Sequence, residues 1–142
     1  MNEAKYLTTP ISSIDIASLH AGDVVYLSGL AFTARDGVYK HMLIEGHEPP
    51  VDLRSLTNVT FQSSPAGVKM ASGAYEVASF QATAGFRYAE YMPALLERFG
   101  VKAVVGKGGM SEDLYKNLFK KHGAICLSTM GYGLGAIYGK AI

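Results

Sequence analysis

The sequence predicts an α/β fold, and three observations support this. Short runs rich in β-branched and aromatic residues alternate with segments of helical periodicity. Glycine and proline fall between these segments, where they end strands and helices. The chain has 142 residues, 49% of them hydrophobic, which suits one sizeable core and is too little for two ordinary domains. We therefore expect a single domain over residues 1–142.

Five runs have the composition of β-strands. They are residues 24–28, 59–61, 75–80, 101–105 and 124–127. The last run contains Cys126, the only cysteine in the sequence. One cysteine rules out an internal disulfide, and its apolar neighbours predict a buried thiol with a packing role.

Three segments carry helix signals. Residues 111–122 are the clearest, with a serine cap, two acidic residues in the first turn and a glycine after the last. A second helix is expected to start at a capping box in residues 33–36 and to end near Gly46. The third precedes Gly100 and is expected to begin at Pro93. Its core-facing residues are predicted to be Leu95, Leu96 and Phe99.

Charge and hydropathy exclude several classes of function. Thirteen Lys and Arg residues stand against twelve Asp and Glu residues, a net charge of +1, so no field favours nucleic acid or an anionic membrane. No apolar stretch reaches membrane-spanning length, and the sequence opens without a secretory signal. A cytoplasmic protein without membrane or nucleic-acid partners is the expectation.

Two glycine-rich segments resemble nucleotide-binding motifs only in part. Residues 106–109 have the Gly-Lys pair of a P-loop, but Gly108 follows Lys107 where that motif needs Ser or Thr. Residues 131–136 loosely fit a dinucleotide fingerprint without room for the rest of a βαβ unit, so close packing is expected instead. The histidines show no metal-ligand spacing, and each is expected to be structural or solvated: His20, His41, His47 and His122.

Cations stand at three junctions between a strand and a loop or helix start: Arg35, Arg87 and Lys107. In α/β folds such junctions bind ligands, because unpaired backbone N–H groups and the helix dipole favour anions there. Thr33 and Thr83 add hydroxyls near the two arginines. The pattern favours a small polyanion, although a solvated or structural ion-pair role for either arginine remains compatible with it.

Three segments carry a resemblance to a known family. They are residues 23–29 (DVVYLSG), 33–36 (TARD) and 97–110 (ERFGVKAVVGKGGM). Their order and their spread over nearly the whole chain resemble the β-type catalytic domain of class I fumarases and L(+)-tartrate dehydratases. The resemblance implies a swivelling β/β/α domain, with a mixed sheet flanked by helices.

The resemblance also implies the chemistry. It indicates the β subunit of a hydro-lyase that hydrates and dehydrates a small dicarboxylate and is active only with an α subunit. The four-iron four-sulfur cluster would belong to that α subunit, and this chain would bind no metal. A hetero-oligomer of the two subunits is therefore expected. The sequence agrees, because a cubane cluster needs several thiolates and Cys126 is alone.

Residues 81–88 (QATAGFRY) take the place of a further family segment, in which Thr83 and Arg87 keep the matching spacing. By the same resemblance, Thr83 and Lys107 would be catalytic, with Thr83 transferring a proton. The substrate carboxylates would be bound by Arg35, Arg87 and Lys107. Four positions depart from the usual family residues: Tyr39, Ala82, Ala84 and Tyr88.

Several alternatives stay open at this stage. Fumarate and malate are the first choice of substrate, tartrate is the second, and another diacid such as a methylated fumarate is the third. A non-catalytic binding or regulatory module that keeps the fold is the alternative from a different class.

Overall fold

A computed structural model of the chain describes residues 3–131 and 133–140. The described strands are β1 (Lys5–Thr8), β2 (Val25–Ser28), β3 (Phe32–Thr33), β4 (Val59–Phe61), β5 (Ala66–Lys69), β6 (Tyr75–Ser79), β7 (Ala103–Gly106) and β8 (Ile125–Ser128). The α-helices are α1 (Ser13–Ala17), α2 (Asp36–Tyr39), α3 (Leu53–Leu56), α4 (Met92–Phe99), α5 (Lys120–His122) and α6 (Gly135–Gly139). Two π-helical segments, Lys40–Ile44 and Leu114–Phe119, and one 3₁₀ helix, Gly85–Tyr91, complete the helices.

A parallel four-stranded sheet in the order β3-β4-β7-β8 lies at the centre of the fold. Strands β1 and β2 form a separate parallel pair, and β5 and β6 form an antiparallel hairpin. The predicted α/β class is confirmed, with parallel and antiparallel pairs in different sheets.

The central sheet is covered on both faces, as side-chain alternation along β7 shows. Val104 is fully buried in the cluster that contains Leu95 and Met92 of α4. Its neighbours Ala103 and Val105 point the other way, into the cluster formed with β1 and β2. The order of layers is therefore the β1–β2 pair, the central sheet and the helices.

Helix α4 has the predicted signals. Pro93 lies in its first turn, Gly100 ends it in the left-handed region at φ 62°, and the three predicted core residues are buried. The predicted helix over residues 111–122 is also present, mostly as a π-helix that continues into α5. Its N-terminus is capped as expected, since Leu114 N–H donates to Ser111 Oγ at 3.3 Å.

The predicted capping box at residues 33–36 is wrong. Thr33 is the last residue of β3 and pairs with Phe61 in the sheet, and Ala34 N–H then donates to the Phe61 carbonyl at 3.1 Å. Helix α2 starts only at Asp36, with Arg35 as an N-cap whose side chain makes no capping bond. The predicted end is close, because Gly46 takes up a left-handed φ of 79°.

The glycine-rich segment near residue 135 packs closely, as expected. Phe80 N–H donates to the Gly135 carbonyl at 2.8 Å, and a Cβ on Gly139 would lie 2.8 Å from the Ala78 carbonyl oxygen. Tyr132, within the same segment, lies outside the described residues. None of the described helices is long and apolar enough to cross a bilayer.

Candidate functional site

The carboxyl ends of the four central strands meet at one edge of the sheet, which we call the carboxyl edge. Parallel pairing causes this, because it sends every strand of the sheet toward the same side. The chain leaves β3 toward Arg35, β4 toward Gln62 and β7 toward Lys107. Two of the three predicted cations are thus delivered to the carboxyl edge by neighbouring parts of the sheet.

Thr83 and Lys107 are joined through their backbones. Lys107 N–H donates to the Thr83 carbonyl at 3.1 Å, and Gly85 N–H donates to the Lys107 carbonyl at 3.0 Å. Thr83 N–H is held in turn by the Gln62 carbonyl at 2.6 Å. Both side chains are half-buried, and within residues 3–131 and 133–140 the Thr83 hydroxyl and the Lys107 ammonium have no hydrogen-bond or ion-pair partner.

Arg87 and Arg35 share one carboxylate, that of Asp36. Arg87 Nη2 lies 3.1 Å from Asp36 Oδ1 and 3.3 Å from Oδ2. Arg35 Nε lies farther away, 3.9 Å from Oδ2. All three side chains are about half exposed, so solvent screens the pairs and they add little to folding stability. Their effect is to hold two guanidinium groups next to each other.

One series of contacts connects the four predicted site residues. Arg35 and Arg87 meet at Asp36, Arg87 lies on the 3₁₀ helix that begins at Gly85, and Gly85 is bonded to Lys107. Thr83 completes the series through Lys107. The structure therefore brings together cations and a hydroxyl that are separated by as many as 72 positions in the sequence.

Asp36 is a site residue that the sequence did not indicate, because an acid after a helix cap has an ordinary electrostatic role at the helix N-terminus. Its carboxylate also accepts a hydrogen bond from the Tyr88 hydroxyl at 3.3 Å. The Arg87 guanidinium lies over the Tyr88 ring, 5.7 Å from its centroid. The available signal was the adjacency of Asp36 to Arg35 within the family-like TARD segment.

Two of the positions that depart from the family pattern pack against each other. Tyr39 and Tyr88 are both fully buried, with ring centroids 5.2 Å apart at 68°. Tyr91 lies 5.5 Å from the Tyr39 ring. Edge-to-face contacts of this kind stabilise aromatic clusters. Tyr39 and Tyr88 therefore form one tyrosine cluster with Tyr91, and the Tyr88 hydroxyl connects this cluster to the Asp36 carboxylate.

Burial gives Tyr39 a measurable pH signature. Desolvation raises the pKa of its phenol from 10 to about 12, against the opposing effect of the hydrogen bond with Thr60. The folded state therefore keeps the proton at pH values where the unfolded chain loses it. This contribution to the free energy of unfolding is complete below pH 10 and is lost as the pH rises toward 12. The loss amounts to up to about 2–3 kcal/mol for a shift of this size.

We expect Tyr39→Phe to make the free energy of unfolding less dependent on pH above 10. Urea unfolding at a series of alkaline pH values, followed by circular dichroism, measures this dependence. The control is Tyr75→Phe, since Tyr75 is 70% exposed, and it should keep the alkaline slope of the unmodified chain. An identical slope in all three proteins would contradict the assignment.

The described donor set does not fit an iron–sulfur cluster. Cys126 lies half-buried in β8 and packs against the main core, so the predicted packing role agrees with its surroundings. Burial raises the pKa of its thiol, which keeps it protonated. A four-iron cluster needs several thiolates, and no other cysteine is present in the sequence.

Comparison with known proteins agrees with the resemblance. A family model described as "Fumarase C-terminus" matches residues 3–142. A putative fumarate hydratase class I of Geobacillus stearothermophilus is 34% identical over 125 residues, 88% of this chain and 23% of that protein. The L(+)-tartrate dehydratase subunit beta of Escherichia coli K12 is 35% identical over 106 residues, 75% of this chain and 51% of that subunit.

A more distant relative is matched over a longer stretch. The putative L(+)-tartrate dehydratase subunit beta of Methanocaldococcus jannaschii is 27% identical over 141 residues, 97% of this chain and 70% of that protein. The match to the fumarate hydratase covers about a quarter of its length, and the match to the Escherichia coli subunit covers about half. With the family model matched over residues 3–142, the chain belongs to the fumarase C-terminus family.

Proposed function

We propose that this chain is one β-type domain and serves as the β subunit of a hydro-lyase for a small dicarboxylate. The names of the relatives support the reaction class. The observation that carries the proposal is the series of contacts that connects Arg35, Arg87, Lys107 and Thr83 at the carboxyl edge of the central sheet, with a Thr83 hydroxyl that has no partner among the described residues. This combination suits a substrate with two negative ends and one exchangeable proton.

The cations bind the two carboxylates in this proposal. Arg87 contacts Asp36 through Nη2, which leaves Nη1 and Nε as donors for a substrate oxygen. Lys107 presents an ammonium group without a protein carboxylate beside it in the described part of the chain. Asp36 keeps Arg35 and Arg87 close to each other, so that the substrate meets donors already in place.

Thr83 is the proposed proton-transfer residue. Its hydroxyl is half-buried and has no hydrogen-bond partner in the described structure. A threonine hydroxyl is a poor base in water, and a neighbouring cation makes loss of its proton easier. Lys107 is the cation proposed for this role, because its backbone N–H donates to the Thr83 carbonyl and so ties the two residues together. The same cations stabilise the negative charge that develops next to a substrate carboxylate.

A four-iron four-sulfur cluster is assigned in this proposal to the partner α subunit. Such a cluster supplies a Lewis acid for the substrate hydroxyl when it is bound, and this chain lacks the thiolates to hold one. The active unit is therefore a hetero-oligomer in which the carboxyl edge faces the partner. A cytoplasmic setting suits the proposal, since that compartment keeps thiolates reduced.

Fumarate and malate are the first choice of substrate and tartrate is the second. All three diacids have two carboxylates at similar separation, so the cation set accepts each of them. The additional hydroxyl of tartrate would be distinguished by only one or two protein groups. A panel of fumarate, malate, L(+)-tartrate and a methylated fumarate, tested with the reconstituted complex, ranks them by kcat/KM. Binding of all four without turnover of any would favour the non-catalytic module instead.

We expect Arg87→Lys to lower kcat/KM of the reconstituted complex by about thirtyfold or more. Lysine keeps the charge but loses the planar pair of donors, and a charged hydrogen bond of this kind contributes about 2 kcal/mol. Steady-state kinetics on the preferred diacid measures the change. The control is Arg54→Lys, which alters an exposed arginine on α3 whose recorded contacts are with Asp52, Arg98 and Phe99. Equal kinetics in both variants would remove Arg87 from the substrate site.

A further inference from the structure

Two histidines and one glutamate lie close together in and just after the π-helical segment that follows α2. His41 Nδ1 lies 3.2 Å from Glu45 Oε2, and His47 Nε2 lies 3.8 Å from the same oxygen. One ligand atom from each of these residues lies within 4.8 Å of the other two. The three side chains are exposed, so an ion from solution can reach them.

The backbone places these side chains together. Glu45 follows His41 by four positions at the end of the π-helical segment, which puts both on one face. Gly46 then turns the chain through a left-handed φ of 79°, a conformation that glycine adopts without strain. His47 N–H donates back to the His41 carbonyl at 3.1 Å. As a result the two imidazole rings stack, with centroids 4.1 Å apart and planes at 17°.

The segment is also anchored to the core. Met42 and Leu43, between His41 and Glu45, are buried, and Arg98 Nη1 of α4 donates to the Met42 carbonyl at 3.0 Å. The ligand-bearing residues thus belong to a docked turn, which lowers the ordering cost of binding an ion.

The donor set suits a particular class of ion. We propose that His41, Glu45 and His47 form a binding site for one divalent transition-metal cation, with Zn²⁺ as the best match. Two imidazoles and one carboxylate form a zinc ligand set that leaves a fourth position for water. Lys40 Nζ lies 3.7 Å from Glu45 Oε1, whereas the histidines face the other oxygen, Oε2. Lys40 therefore leaves Glu45 Oε2 available to bind the cation.

The spacing of the histidines along the chain did not indicate this cluster. Six positions separate His41 from His47, and only the turn at Gly46 brings the second ring over the first. The site is independent of the proposed hydro-lyase function, since it shares no residue with the series of contacts at the carboxyl edge.

The test is a titration of the metal-free full chain with Zn²⁺, followed by calorimetry, and with Co²⁺, followed by its visible absorption. We expect saturation at one equivalent and a rise in Tm on addition of Zn²⁺. His47→Ala and Glu45→Gln should each weaken binding by about tenfold or more. The control is His20→Ala, because His20 is exposed and outside the cluster, and it should bind as the unmodified chain does.

Circular dichroism before the titration checks that each variant is folded, which is expected because the changed side chains are exposed. Absence of saturable binding at one equivalent would overturn the proposal. So would equal affinity in the His47→Ala and unmodified chains, since zinc would then bind elsewhere.

Discussion

Purified alone, this chain is expected to be folded, colourless and inactive as a dehydratase. It buries a substantial core, including Tyr88, Met92, Leu95 and Val104 at no more than 1% exposure, and on this ground we expect it to fold without a partner. With Cys126 as its only thiol, it cannot hold a four-iron cluster. Addition of the cognate α subunit, loaded with iron and sulfide under anaerobic conditions, should then produce dehydration of malate or tartrate.

The measurement compares each chain alone with the mixture, and follows the ultraviolet absorbance of the unsaturated or keto acid. Exposure to oxygen should remove the activity of the mixture, and fresh α subunit should restore it when this chain is reused. That exchange locates the sensitivity, because the cations and the threonine at the carboxyl edge are not oxidisable. Oxygen-stable turnover by this chain alone would contradict the proposed division between the subunits.

Replacement of Thr83 by valine should lower kcat by about a hundredfold or more and leave substrate affinity largely unchanged. Valine keeps the shape of threonine and removes the hydroxyl, and loss of a general acid–base group has effects of this size. The backbone bonds of Thr83 to Gln62 and Lys107 do not involve the side chain, so the fold should persist. Pre-steady-state kinetics of the reconstituted complex separates chemistry from product release.

Two further variants make this experiment specific. Thr83→Ser restores a hydroxyl at the same position and should recover part of the lost rate. Thr8→Val makes the same chemical change at an exposed position of β1, where β-branched residues are well tolerated, and should leave kcat unchanged. Near-normal turnover in Thr83→Val would reduce Thr83 to a structural residue of the loop.

Local sequence signals predicted those elements whose own residues determine them. Helix α4 has its proline, its apolar face and its terminal glycine within eight or nine positions, and all three act as expected. The capping box failed for the opposite reason. Thr33 has the local chemistry of a cap, but pairing with Phe61 on a distant strand keeps it in the sheet, and propensity yields to such tertiary contacts.

The candidate site shows the same division. The junctions between strands and loops were sufficient to single out Arg35, Arg87 and Lys107, because each cation stands beside its own strand end or helix start. The family resemblance was sufficient to single out Thr83. Asp36 could not be selected in this way, since its role depends on Arg87, which lies 51 positions away. Tyr39 and Tyr88 likewise were separate departures in the sequence, whereas in the structure they pack against each other in one tyrosine cluster.

The α/β class, the boundaries of α4, the lone thiol and the identity of the cations all follow from the amino-acid sequence. Which of these residues meet depends on how the strands pair and how the turns redirect the chain. Parallel pairing of β3, β4 and β7 brings Arg35, Gln62 and Lys107 to one edge, and the turn at Gly46 places His47 over His41. Local sequence encodes backbone preferences over a few residues, whereas distances between remote side chains follow from how strands pair and layers pack.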